Sequence, residues 1–160
     1  MVLLGGLMAQ TAVPKFEDFP VKEIFKGTPA KPVFRTASQR MFRTRIREGA
    51  AAGPNFAGHY AIARWGCGSF CESIEIIDSK TGIVHDGPFG ILGFMPVDEY
   101  QDVNVDDLTP DRLGVEFKIN SRLLIAHGCE EDKDCASFFY EWTGTQFKLL
   151  RKLPTKPRKP

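Results

Sequence analysis

Two stretches of the chain carry the same succession of apolar runs and polar breaks. In the first, Gly58 to Trp65 is an apolar-rich run that ends on Gly66-Cys67, and a short loop leads to Cys71. Ser73 to Asp78 then sets Ile74, Ile76 and Ile77 among polar residues, Ser79-Lys80-Thr81-Gly82 turns the chain, and Ile83 to His85 closes the unit. In the second, Leu123 to His127 runs into Gly128-Cys129, and a polar loop leads to Cys135. Ser137 to Trp142 is rich in aromatic residues, Thr143-Gly144 turns, and Phe147 to Leu149 closes. Short runs rich in β-branched and aromatic residues, bounded by glycine-containing turns, predict strands and hairpins. The expected fold is therefore mainly β (α+β): two repeated three-stranded antiparallel units, in packed or curled sheets, with one N-terminal helix. The offset between the copies is 62 to 64 residues, and two copies are too few for a closed ring of blades.

That helix is expected over Thr36 to Ala51. Thr36 or Ser38 can cap its start, and Gly49 or Gly53 with Pro54 can end it. Phe42, Ile46 and Ala50 form its apolar stripe, while Arg40, Arg43 and Arg47 fall at i, i+3 and i+7 on a different face. Before it, Val13 to Pro32 is punctuated by Pro14, Pro20, Pro29 and Pro32, which excludes a long helix. An extended arm is expected there, with an edge strand at Val21 to Phe25. Asn55 to Gly66 reads as one long strand, and Leu113 to Phe117 and Ser121 to His127 as two more. Phe138 to Leu150 reads as the closing hairpin, and its aromatic residues place the apolar centre in the second unit. Asp86 to Pro96 reads as a glycine- and proline-rich loop whose Phe89 to Met95 stretch is apolar enough to pack as a lid or rim.

At 160 residues with 42% hydrophobic and 26% charged residues, the composition is that of one ordinary globular domain. The boundaries read as residues 1–12, a signal-peptide remnant; 13–153, a β-rich domain; and 154–160, a basic flexible tail. The net charge of +1 argues against a nucleic-acid partner, and no run is long enough for a membrane span. The charge is segregated all the same. Arg35, Arg40, Arg43, Arg45 and Arg47 surround the helix, and six acids without a lysine or arginine lie between Asp98 and Asp111. Within the latter, Asp102 to Asp106 begins like a calcium loop, but Asp107 stands where a glycine is needed and Leu113 where a glutamate is.

Four cysteines fall into two local pairs, Cys67 with Cys71 and Cys129 with Cys135. Local disulfides are expected, with bridges crossed between the units and a four-cysteine metal site as the alternatives. The five-residue gap of the second pair departs from zinc spacing, and neither pair is the C-x-x-C of a redox motif. No metal and no cofactor are therefore expected. The same residues carry a resemblance. Phe56-Ala57-Gly58-His59-Tyr60, Trp65-Gly66-Cys67-Gly68 with Cys71, Ile76-Ile77-Asp78, Thr81-Gly82, and the close from Cys129 to Tyr140-Glu141-Trp142 and Gly144 resemble a group of small, signal-bearing bacterial proteins of unassigned function. The resemblance implies a periplasmic or secreted protein with paired cysteines, and it supplies no activity.

Candidate chemistry is sparse. Cys67 with His59 or His127 is the one nucleophile–base combination, and Glu72, Glu75, Asp78, Glu116 and Glu141 are β-associated carboxylates without a distinguished pair. The function expected is that of an exported, monomeric binding or inhibitory module for an unknown protein or envelope polymer. An envelope-polymer hydrolase using unidentified carboxylates is the alternative. The ligand-binding candidates are Trp65, Phe70, His59, Arg40, Arg43 and Arg47.

Overall fold

The computed structural model describes residues 12–68, 71–88, 91–92, 114–130 and 134–154, and of 91, 92, 129, 130, 134, 135 and 154 the backbone alone. Residues 1–11, Phe70, Phe89, Phe94, Met95, the acidic segment 98–111 and the tail 155–160 lie outside the described residues, and so do the side chains of Cys129 and Cys135.

Among the described residues, a 3-10 turn at Phe16–Asp18 and two α-helical segments, α1 (Ala37–Met41) and α2 (Arg43–Ala51), precede eight strands: β1 (Tyr60–Gly68), β2 (Cys71–Asp78), β3 (Val84–Asp86), β4 (Ile91–Leu92), β5 (Val115–Phe117), β6 (Leu123–Glu130), β7 (Asp134–Trp142) and β8 (Phe147–Pro154). The protein is mainly β. All strand pairing is antiparallel. β1, β2 and β3 form one set and β5, β6, β7 and β8 another, joined through the two-residue β4, which pairs with β2 on one side and β6 on the other. The second unit thus gains a fourth strand, β5, on the free side of β6.

Both faces of each half are covered, which explains why Tyr60–Ala63, Ile74–Ile77, Leu123–Ala126 and Phe138–Tyr140 are buried without a break. A strand buried on both faces loses the alternation of a half-solvated one. On one face, Tyr60, Ile62, Ile74 and Ile76 from the first half meet Val115, Leu124, Phe138, Tyr140 and Trp142 from the second, with Phe56 and Ala57 between. The apolar centre is therefore shared by the two halves rather than lying in the second alone. On the other face of the first half, Ile46, Ala50 and Phe42 pack on Ala61, Ala63, Trp65, Ile77 and Val84. The corresponding face of the second half, with Leu123, Ile125 and Phe139, is covered by Phe16 and Phe19 of the arm and by Leu150 and Leu153.

Several boundaries differ from the sequence reading, each for a local reason. The helix is divided at Phe42, whose φ of −98° and ψ of 18° leave the helical region; the bend seats its ring on Trp65, with centroids 5.0 Å apart. Thr36 does cap the start, accepting from the Gln39 N–H at 3.1 Å. Gly49 does not end the helix. A Cβ there would lie 2.6 Å from that of Ala63, so this glycine lets α2 lie directly on β1.

The arm makes no strand at Val21 to Phe25. Pro20 cannot donate to a ladder, and the segment docks through single bonds, from the Val21 N–H to Asn120 O at 3.2 Å and from the Phe25 N–H to Gly58 O at 2.8 Å. β1 begins at Tyr60 instead of Asn55, because Ala57 and Gly58 turn the chain with φ of 45° and 85°. It runs past Trp65 to Gly68.

Cys67 and Cys71 are joined by a disulfide, with Cα atoms 4.9 Å apart, just where β1 turns into β2. Cys67 is therefore no thiolate nucleophile for His59 or His127. Cys129 and Cys135 are direct register partners across β6 and β7. Cys71, Leu92, Cys129 and Cys135 occupy one row of the sheet. At roughly 4.8 Å per strand, Cys71 and Cys129 stand two strand spacings apart, beyond the reach of a bridge between the units. Replacing Cys67 and Cys71 by serine should lower unfolding stability by about 2 kcal/mol, the entropy of closing so short a loop. Denaturant titration of the double variant checks this, and an unchanged midpoint would contradict it.

Candidate functional site

At the end of the sheet away from the cysteine row, the start of β1, the β2–β3 turn and the β7–β8 turn come together. Register places Tyr60 opposite Asp78, and Ile76 opposite His85. The Tyr60 hydroxyl donates to Gly144 O of the far turn at 3.3 Å. Rings then follow one another across the junction: His59 on Tyr60 at 4.1 Å between centroids, Tyr60 on Trp142 at 5.2 Å, Trp142 on His85 at 5.3 Å, and Trp142 on Phe147 at 4.8 Å.

Asp78 is the carboxylate of this junction. It accepts the Lys80 N–H at 2.8 Å, which shapes the β2–β3 turn, and stands 3.8 Å from His59 Nε2. Burial pushes both His59 and His85 below the usual histidine range, with Asp78 acting against it in each case. Both rings are therefore uncharged at neutral pH and offer one donor and one acceptor each. Burial pushes the Tyr60 hydroxyl up, so it stays a neutral donor; the Trp142 side chain acts in the opposite direction. The Trp142 Nε1 is close enough to exert that effect, yet it meets no acceptor at hydrogen-bonding geometry. This buried N–H is unsatisfied among the described residues, because direction as well as proximity decides a hydrogen bond.

Among the described residues, three concave surfaces flank these elements. A cleft of about 460 Å³ lies between the start of α1 and the β7–β8 turn, with Arg35, Thr36, Gln39, His85 and Asp86 on one side and Thr145 and Gln146 on the other. A second, of about 380 Å³, lies between the arm at Pro20 to Glu23 and Gly144, with His59, Lys80 and Arg122 in its walls. A groove of about 650 Å³ runs between Thr28–Pro32 of the arm and Arg47, Ala50 and Ala51 of α2.

The arginines of the helical region join two of these surfaces. Arg40 donates to the carbonyl of Thr36 at 3.4 Å, and Thr36 lines the first cleft. Arg43 donates to the carbonyl of Arg40 at 3.3 Å. Arg47 lines the groove, its guanidinium 5.3 Å from the centre of the Phe34 ring. Arg45 pairs with Glu48 at 3.4 Å. Among the described residues, no carboxylate stands within ion-pair distance of Arg35, Arg40, Arg43 or Arg47. Five arginines against one glutamate give residues 35–51 a local charge of +4, while the whole chain carries +1.

Of the residues singled out from sequence, Arg40 reaches the carbonyl of Thr36 at the first cleft, Arg43 reaches the carbonyl of Arg40, Arg47 lines the groove, and His59 lies in the second cleft. Trp65 does not join them. It is only 9% exposed, stacked beneath the helix as a packing residue. Phe70 lies outside the described residues. Sequence reading missed Asp78 as the partner of His59, and His85 and Trp142 as ring partners of Tyr60, because strand register brings them together. The candidate acids are mostly engaged: Arg64 with Glu72, Arg122 with Glu141, and His127 with Glu116. Glu75 lies opposite Asp86 in register but lines none of the three clefts, and none of them holds two facing acids. Among the described residues, no group of three or more histidines, cysteines or acids could hold a metal ion, and no helix is long and apolar enough to cross a membrane. Comparison of the chain with known families, characterised proteins and solved structures gives no match.

Proposed function

We propose that this is a small exported binding or inhibitory protein whose ligand is anionic and extended. The carrying observation is the set of arginines without carboxylate partners among the described residues, Arg35, Arg40, Arg43 and Arg47, placed from the cleft beside His85 to the groove under the arm. At 1.5 Å per residue, Arg43 and Arg47 are separated by roughly 6 Å along α2, a spacing suited to successive charges on a polymer. Guanidinium groups bind sulfate, phosphate and carboxylate through paired donors. The rigid seat of α2 on Ala63 lowers the ordering cost of binding. Export accords with the Cys67–Cys71 disulfide, since such bonds persist in oxidising compartments. An envelope polymer bearing sulfate, phosphate or uronate groups is the class of partner this surface fits.

A sulfated polysaccharide column is the probe. The native chain should be retained at low ionic strength and released as salt screens the contacts. The Arg43→Glu and Arg47→Glu double variant should elute in the void at the same salt with an unchanged circular dichroism spectrum. Retention indifferent to salt, or equal for the variant, would overturn the reading.

A further inference from the structure

On the outer face of the second half, away from the basic surface, three polar side chains on neighbouring strands are hydrogen-bonded in line. Ser137 Oγ lies 2.7 Å from His127 Nδ1, and His127 Nε2 lies 2.7 Å from Glu116 Oε2. Register builds the line: His127 on β6 is the direct partner of Ser137 on β7, and Glu116 on β5, partner of Ile125, is its diagonal neighbour on the same face. An ionised carboxylate can only accept, so Nε2 carries the hydrogen. In the neutral ring Nδ1 is then the acceptor, and the Ser137 hydroxyl must be the donor. A hydroxyl that donates to an imidazole, itself oriented by an acid, is the arrangement that activates a nucleophile. Ser137 is partly exposed and sits opposite Leu153, beside the apolar patch of Phe139 and Leu150.

We propose that Ser137, His127 and Glu116 form an acyl-transfer site that hydrolyses esters with small apolar acyl groups and good leaving groups. The Ser137 hydroxyl proton passes to His127 Nδ1 while Oγ bonds to the acyl carbon and the carbonyl π pair moves to its oxygen. Collapse of that intermediate breaks the bond to the leaving oxygen, which takes the proton from Nδ1 and departs as the alcohol. Water then attacks the acyl carbon, giving a proton to Nδ1, and Ser137 recovers that proton as the carboxylic acid is released. Glu116 holds the ring by its Nε2–H throughout and stabilises the imidazolium. An oxyanion formed at the partly exposed Ser137 is stabilised chiefly by water, which restricts the substrates to activated esters.

The test treats the full-length chain with a fluorophosphonate probe and maps the adduct by peptide mass spectrometry. The p-nitrophenolate released from p-nitrophenyl acetate is followed in parallel. The adduct should form on Ser137. Ester cleavage should be lost in Ser137→Ala and should fall on the order of a hundredfold or more in His127→Gln, the usual contribution of a general base. The labelling uses the native chain, so it does not depend on how the variants fold. No adduct on Ser137, or ester cleavage unchanged in Ser137→Ala, would overturn the proposal and leave the three residues as a cross-strand lock.

Discussion

Trp142→Ala lowers the unfolding free energy by about 3–5 kcal/mol, the range for deleting a large buried aromatic side chain. Only 1% of Trp142 is exposed, and its indole touches the rings of Tyr60, His85 and Phe147. Those partners belong to both halves of the sheet, so the loss falls on the seam between the units as well as on one hairpin. Against the 5–15 kcal/mol typical of a domain, such a change places the variant close to half unfolding at modest denaturant. Trp142→Phe separates packing from polarity. It keeps most of the ring contacts and removes an N–H that is buried without an acceptor among the described residues. The desolvation cost of an unpaired donor is of the order of 1–3 kcal/mol, so its removal offsets much of the lost volume. The phenylalanine variant should therefore lie within about 1.5 kcal/mol of the parent. Urea titrations of both variants decide this, and equal losses for the two would show that the indole N–H, not the packing, matters here.

The hairpins were legible because turn chemistry is local. Thr81-Gly82 and Thr143-Gly144 mark chain reversals wherever they stand, and both lie between the strands expected on either side. The cap at Thr36 was legible for the same reason. What escaped the sequence is what register and layering decide. β4 is two residues long and shows no periodicity, yet it joins the two halves. Trp65 at the end of an apolar run read equally well as an exposed binding residue, and only the bend at Phe42 puts a ring over it.

The two polar constellations escaped by the same route. Asp78 and His59 come together because β2 returns antiparallel along β1 with Asp78 opposite Tyr60. Glu116, His127 and Ser137 come together across three strands at separations of 11 and 10 residues. A shift of one residue in either register would turn His127 or its partner to the opposite face, and no single segment of the sequence encodes that choice. Arg43 and Arg47 were legible as neighbours on one face because both lie within α2, where spacing and facing are nearly the same information. The bend at Phe42 sets Arg40 outside that rule.

Glu75 makes stability fall as the pH rises from about 4.5 to about 7. Its side chain sits on β2 between Ala63 and Asp86, is 9% exposed, and has one carboxyl oxygen without a hydrogen-bond partner among the described residues. Burial, reinforced by the like charge of Asp86, pushes its pKa up from 4.5 to about 7. Below the unfolded value the group is protonated in both states and costs nothing electrostatically. Between the two values the folded chain binds the proton that the unfolded chain has released, so each step up in pH favours unfolding. Above about 7 both states are ionised and the full penalty is present, at most roughly 3.5 kcal/mol. His59 and His85 act with the opposite sign. Their folded pKa values are depressed, so the stability linked to them is present above the unfolded histidine value and is lost as the pH falls below it. The clean measurement is therefore the difference between Glu75→Gln and the parent across pH 4 to 9, in which the histidine contributions cancel if the sites act independently. That difference should rise in favour of glutamine through the interval from about 4.5 to 7 and then level off. A difference that does not change with pH would place the Glu75 carboxyl at its ordinary pKa and remove the buried-acid reading.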